Sequence, residues 1–197
     1  MVVGDPEHIP EAVGEAAAAL LAEGVHEVRL SLPAGVEVPG AERSPDTSHW
    51  EWMWTTRAGP APPAGVGWLD HTDDVDLHDL LAHSPRAHAG PGDDSVRGWA
   101  GVRRGGVLVA AGALCSSPSG TPHLRAIVTR PGHRGSGHGA AVTSFLTEAG
   151  LHEAALVSLG MYSDNDVARR VYHRLGFVTS HRWVSSRCSL TEGFVRP

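Results

Sequence analysis

The chain has 197 residues, 41% of them hydrophobic, enough for one ordinary domain with an added segment. Its net charge of -6 argues against a duplex nucleic-acid binder, which needs a basic stripe, and favours cationic or neutral small partners. All 16 basic residues are arginine, which excludes a Schiff-base lysine, a phosphate-loop lysine and a lysine general base.

In chain order, PEAVGEAAAALLAEG (10–24) places Val13, Ala16, Ala17 and Leu20 at helical spacing, and Gly24 stops the helix. HEVRLSL then alternates Val28, Leu30 and Leu32 with polar residues, the pattern of a half-buried strand. SHWEWMWTT puts Trp50, Trp52 and Trp54 on one side of a strand, with Glu51 and Met53 opposite. The Pro/Gly-rich run at 58–67 reads as a linker. It predicts an α/β N-terminal extension over 1–66 and a second domain over 67–197.

That second domain begins with a short strand, VGWLD, and a helix, DLHDLLAHS, with Leu77, Leu80 and Leu81 on one face. GWAGVRRGGVLVAAGAL reads as two strands joined at Gly105 and Gly106, and HLRAIVTR as a third. A helix from about Gly137 carries Val142, Phe145, Leu146 and Ala149 on one face and ends at Gly150. AALVSLGM is a buried strand. Asp164 or Asn165 caps a helix bearing Ala168, Val171, Tyr172 and Leu175, which Gly176 closes. HRWVSSRCSL is the last strand. The expected fold class is α/β: a mixed, mostly antiparallel sheet flanked by helices.

RPGHRGSGHGAA (130–141) packs four glycines and two arginines between a strand and a helix. The N–H groups at a helix start point outward unpaired, and the helix dipole favours an anion there. Glycines let the backbone approach an oxyanion closely. Arg134 adds a charge-assisted hydrogen bond worth about 1.5–3 kcal/mol. The chemistry is that of a pyrophosphate. A nucleotide P-loop fails for want of its lysine. The dinucleotide fingerprint GxGxxA is matched literally at Gly135–Ala140. It lacks the acidic residue about 20 positions on, and the 57 residues after Ala140 are too few for the remaining strands.

The same stretch resembles the R/Q-x-x-G-x-G/A signature of the GNAT acetyltransferase superfamily, matched by Arg134, Gly137 and Gly139. NDVARRVYHRLGF resembles that family's later helix, with Asn165, Ala168, Tyr172, Gly176 and Phe177 in register. The resemblance is to a bacterial branch and runs through the C-terminal two thirds of the chain. It implies acetyl-CoA as co-substrate, with Ile127, Val128 and Thr129 pairing with the pantetheine arm. Arg134, Gly135, Ser136, Gly137, His138 and Gly139 would take the pyrophosphate, and Asn165 would help hold the donor. Tyr172 matches the tyrosine that protonates the departing thiolate. Many members carry a glutamate where this chain has His123, which makes His123 the candidate general base.

The expected activity is N-acetyl transfer to a primary amine, small or cationic, by direct transfer in a ternary complex. No cysteine falls in the motifs to form an acyl-enzyme. The alternative is a non-catalytic module of the same fold that binds acyl-CoA as a regulatory ligand. No metal is expected, because His78, His83 and His88 are spaced by fives and diverge on a helix, and no HExxH occurs. Two unpaired cysteines, no basic leader and no apolar run near 18 residues point to a soluble cytoplasmic protein away from membranes. The aromatic strand of the extension is expected to pack that segment onto the main domain, with an acceptor wall or a homodimer contact as the functional alternatives.

Overall fold

The computed structural model describes residues 7–40, 42–61 and 65–191. Part of the 58–67 linker and the first six residues therefore lie outside the described residues. The architecture is mixed α/β, with eight strands in mostly antiparallel arrangement flanked by helices. Two compact units share it, one of Met1–Trp52, Met161–Asn165 and Thr179–Pro197, the other of Met53–Gly160 and Asp166–Val178.

The first unit holds α1 (Ile9–Ala22), β1 (Glu27–Pro33), most of β2 (Glu42–Thr55) and of β8 (Val178–Ser189), in the strand order β1-β8-β2. α1 buries Ile9, Val13 and Ala17 against Leu32, Val38 and Leu190. Ala16, expected in the core, is exposed, because this short apolar stripe turns away from it. β1 and β8 pair antiparallel from Glu27↔Ser189 to Pro33↔Trp183. Trp50 stacks on Trp183 with ring centroids 5.5 Å apart, and its indole N–H donates to Ser185 Oγ at 2.7 Å. The alternation along β2 is as expected, but the tryptophan side is half-exposed while Glu51, Met53 and Thr55 are buried. Glu51 is 3% exposed; the Thr179 hydroxyl donates to it at 2.9 Å and Arg182 lies 3.8 Å away.

The second unit holds β3 (Val66–Leu69), α2 (Asp74–Leu81), β4 (Val96–Arg104), β5 (Val107–Ser116), β6 (Pro122–Thr129), α3 (His138–Leu151), most of β7 (Val157–Tyr162) and α4 (Asp166–Arg174). Its strand order is β7-β6-β5-β4-β3. β5 reads as a continuous apolar run because both of its faces are covered. Ala111, Ala113 and Cys115 pack with Leu77 and Leu80 of α2, Trp99 and Val128. The alternate residues Gly112 and Leu114 lie against α3 at Val142, Leu146 and Gly150. Burying Leu77 and Leu80, 1% and 0% exposed, contributes about 1.5–3 kcal/mol each. Among the described residues no helix is long and apolar enough to cross a membrane.

Candidate active site

The regular ladder breaks on β6. Ala111 faces Val128 and Ala113 faces Arg125, so Gly112 alone stands opposite both Ala126 and Ile127. That is a β-bulge, and Ala126 takes φ +49° to form it. Glycine leaves room here for the side chains packed over it. A Cβ would lie 2.3 Å from Ile127 Cδ1 and 3.1 Å from both Leu146 Cδ1 and Val142 Cγ1. On its other edge β6 pairs in parallel with β7, among the described residues, at His123↔Ser158 and Leu124↔Leu159. From Arg125 onward the two strands part, and the backbone of 125–129 has no β7 partner along that edge.

This free edge, with Ile127, Val128 and Thr129, leads directly into the glycine-rich loop. Arg130 pins the loop's start to α2, donating to Asp79 at 2.6 Å, to His83 Nε2 at 3.0 Å and to Leu108 O at 3.3 Å. Pro131–His133 form one turn of 3₁₀ helix, Arg134 is extended, and Gly135 and Gly137 take φ +79° and +80°. Those left-handed residues reverse the chain so that α3 starts at His138. The first helical bond runs from Ala141 N–H to Gly137 O, which leaves the N–H groups of His138, Gly139 and Ala140 without a helical acceptor. A Cβ at Gly135 or Gly137 would meet nothing within 4 Å, so the loop's surface is open to a ligand; at Gly139 it would meet Thr129 Oγ1 at 3.2 Å. Arg134 is exposed and its Nε–H donates to Thr129 O at 3.2 Å, which ties the loop back to the strand end. Ser136 is exposed and His138 half-buried at the same turn.

His123 lies upstream on β6, half-buried, between Cys115 of β5 and Ser158 of β7. Its Nδ1 is 2.9 Å from Ser158 Oγ, and the Ser158 hydroxyl donates to Pro122 O at 3.3 Å. The ring tautomer is set by which of these two acceptors the Ser158 hydroxyl serves. Burial, helped by the Arg125 charge, pushes its pKa down to about 4. Tyr172, on α4, is 8% exposed, its ring centroid 6.0 Å from that of Phe177. Burial pushes its phenol up to about 12. Asn165 belongs to the first unit, where its N–H donates to Tyr162 O at 3.0 Å just before α4 begins.

A cavity of about 490 Å³ opens in the second unit, lined by Leu69 and Trp99, by Asp70, Asp74, Asp93 and Asp94, and by Arg97. Hydrogen bonds from Thr72 hold the Asp70 carboxyl below its usual range, and those from Ser95 do the same for Asp93. Arg125, next but one to His123, reaches Ser95 Oγ at 3.0 Å and Asp93 at 3.4 Å. Among the described residues, no three or more His, Cys, Asp or Glu side chains are grouped to hold a metal ion.

Residues 47–177 match the model of the acetyltransferase (GNAT) family. The chain belongs to that family. Acetyl transfer is the general function of the GNAT family, and acetyl-CoA its donor. The family match begins within β2, inside the segment read from sequence as an extension. Among solved structures the GNAT fold recurs in a putative acetyltransferase from Novosphingobium aromaticivorans, at TM-score 0.68 and 24% identity over 92% of this chain and 82% of that one. A GCN5-related N-acetyltransferase from Kribbella flavida has TM-score 0.64 and 22% identity over 96% and 78%. A tandem GNAT protein from the clavulanic acid biosynthesis pathway has TM-score 0.59 and 18% identity over 91% and 69%. No curated protein matches the chain.

Within this GNAT frame, sequence reading overlooked the bulge at Ala126–Ile127, the pinning of Arg130 by α2, and Ser158 as the partner of His123. The only signal of the bulge is that Ala126 and Ile127 interrupt the alternation of HLRAIVT. Ser158 and Asp79 carry no local signal, because their roles depend on strands and helices distant in sequence.

Proposed function

We propose that this protein is an acetyl-CoA-dependent N-acetyltransferase that passes the acetyl group directly to a primary amine while both substrates are bound. One observation carries the reading: a continuous path from the bulge, along the unpaired edge of β6, into the left-handed glycines that open α3. An extended amide-bearing arm adds to such an edge as a further strand would. In this reading Ile127, Val128 and Thr129 take the pantetheine arm. The loop from Arg134 through Gly135, Ser136, Gly137 and His138 to Gly139 takes the pyrophosphate, and Asn165 helps hold the donor.

The acceptor nitrogen must be uncharged to attack the thioester carbonyl, and a lysine-like amine is protonated below a pKa near 10. The His123 imidazole receives its proton, directly or through water. As the new C–N bond forms and the C–S bond breaks, the thiolate takes a proton from Tyr172, whose phenol stays protonated at working pH. Holding both reactants in one site supplies the proximity term. The acidic cavity at Asp70, Asp74, Asp93 and Asp94 supports a small cationic amine as acceptor. The protein would act in the cytoplasm, without metal or nucleic acid.

A second reading, an acyl-CoA-binding module without turnover, is favoured by one fact. The group standing where a carboxylate base is common is an imidazole held at about 4, a weak proton acceptor. Calorimetric titration with acetyl-CoA tests the donor site shared by both readings. Micromolar binding, weakened about tenfold or more by Arg134→Ala, supports it. No binding, or binding indifferent to that substitution, refutes it. Turnover with any of a panel of amines then selects the transferase.

A further inference from the structure

Two histidines flank the glycine turn. His133 ends the 3₁₀ turn and His138 opens α3, and their rings stand 6.3 Å apart, centroid to centroid, across Arg134–Gly137. Both are half-buried, so neither ring swings freely in solvent. Arg104, at the end of β4, bears on the same place, and its charge and that of His133 act on His138. Arg134 turns its Nε to Thr129 O, and the Arg104 guanidinium donates to the Arg103 carbonyl. Among the described residues no carboxylate pairs with Arg104, His133, Arg134 or His138. Elsewhere in this unit arginines do find acids, as Arg97, Arg103, Arg125 and Arg130 do.

Two arginines and two imidazoles left without an acid, around N–H groups that point outward, make an anion site. Imidazole is the side chain whose proton exchange can be linked to an arriving anion in the physiological range. The geometry points to His133 and His138 as phosphate ligands that make donor binding proton-linked, with the imidazoles taking up protons as the pyrophosphate arrives. The inference rests on the donor reading above and adds regulation to it: affinity for the donor rises as pH falls. Burial first, then the charges of Arg104 and His133, hold His138 below its usual range, and a bound dianion opposes all three.

The test is calorimetry with the full chain at pH 6, 7 and 8, using dephospho-acetyl-CoA. Without the 3′-phosphate the ligand's own pyrophosphate does not titrate in this range, so any proton uptake belongs to the protein. At pH 7, repeating the titration in buffers of different ionisation heat reports net proton uptake. The expected result is uptake on binding and a Kd about tenfold or more tighter at pH 6 than at pH 8, since each linked proton gives up to tenfold per pH unit. His133→Gln with His138→Gln should flatten that dependence and leave weaker binding. A parent Kd constant within twofold, no proton uptake, or an unchanged slope in the double variant overturns the proposal while the donor site stands. Failure of the parent to bind at every pH overturns both.

Discussion

Lowering the pH exposes the cost of a buried imidazole at His123. In the unfolded chain this side chain takes a proton near pH 6.5, whereas in the folded protein it does so only at about 4. Burial is the larger cause and the Arg125 charge the smaller. The folded state therefore refuses a proton that the unfolded state accepts, so its stabilising share is complete above about pH 6.5 and is lost as pH falls toward 4. A gap of about 2.5 pH units sets a ceiling of about 3 kcal/mol, and about 2 kcal/mol of it is gone by pH 4.5. His123→Asn replaces the titrating ring by an amide that can still reach Ser158. Urea unfolding of both proteins between pH 7 and 4.5 isolates the term, because every other titrating group is common to the two. The parent should lose about 2 kcal/mol more than the variant over that range. Parallel stability curves would show that His123 is not desolvated as its packing between Cys115 and Ser158 requires, and the reasoning would fail.

Tyr172→Phe removes only the phenolic hydroxyl. If that group protonates the thiolate, kcat falls by about 10²–10⁴ while the calorimetric Kd for acetyl-CoA stays within twofold; a kcat within threefold of the parent removes Tyr172 from the chemistry. Gly112→Ala forces a methyl group into Ile127, Val142 and Leu146. It should cost about 1–3 kcal/mol in thermal or urea unfolding and weaken donor binding together with stability, because the same contact shapes the bulge. Donor affinity unchanged in a destabilised variant would separate the bulge from the donor site.

Much of this fold is visible in local pattern. The runs that became β5 and β7, the leucines of α2 and the Gly-Gly hairpin are set by periodicity and turn chemistry, which act within a few residues. The glycine loop is legible for the same reason, since its left-handed positions at Gly135 and Gly137 lie inside one short stretch. What pattern does not reveal is which side of a strand is covered. Along β2, hydrophobicity favours burying Trp50, Trp52 and Trp54, yet the buried side carries Glu51, whose charge is met by Thr179 from β8. That partner is 128 residues away. The bulge is hidden likewise, for it exists only in the register between β5 and β6. Roles that hang on pairing are invisible until the pairing is known.

The two groups placed at the chemistry make the same point about burial. Desolvation disfavours whichever form is charged, so one cause lowers an imidazole to about 4 and raises a phenol to about 12. Between those limits neither changes protonation: His123 stays a neutral acceptor and Tyr172 a neutral donor. A transferase built on them has no titration of its own at these positions over the physiological range. The proton that must move before attack belongs to the acceptor amine, and a wall of aspartates would hold that amine charged rather than help it ionise. In the proposed reading the acidic cavity at Asp70, Asp74, Asp93 and Asp94 would capture the cation, and deprotonation would follow once the amine left those carboxylates for the bulged end of β6. On that reading charge would recruit the acceptor, and desolvation would ready it.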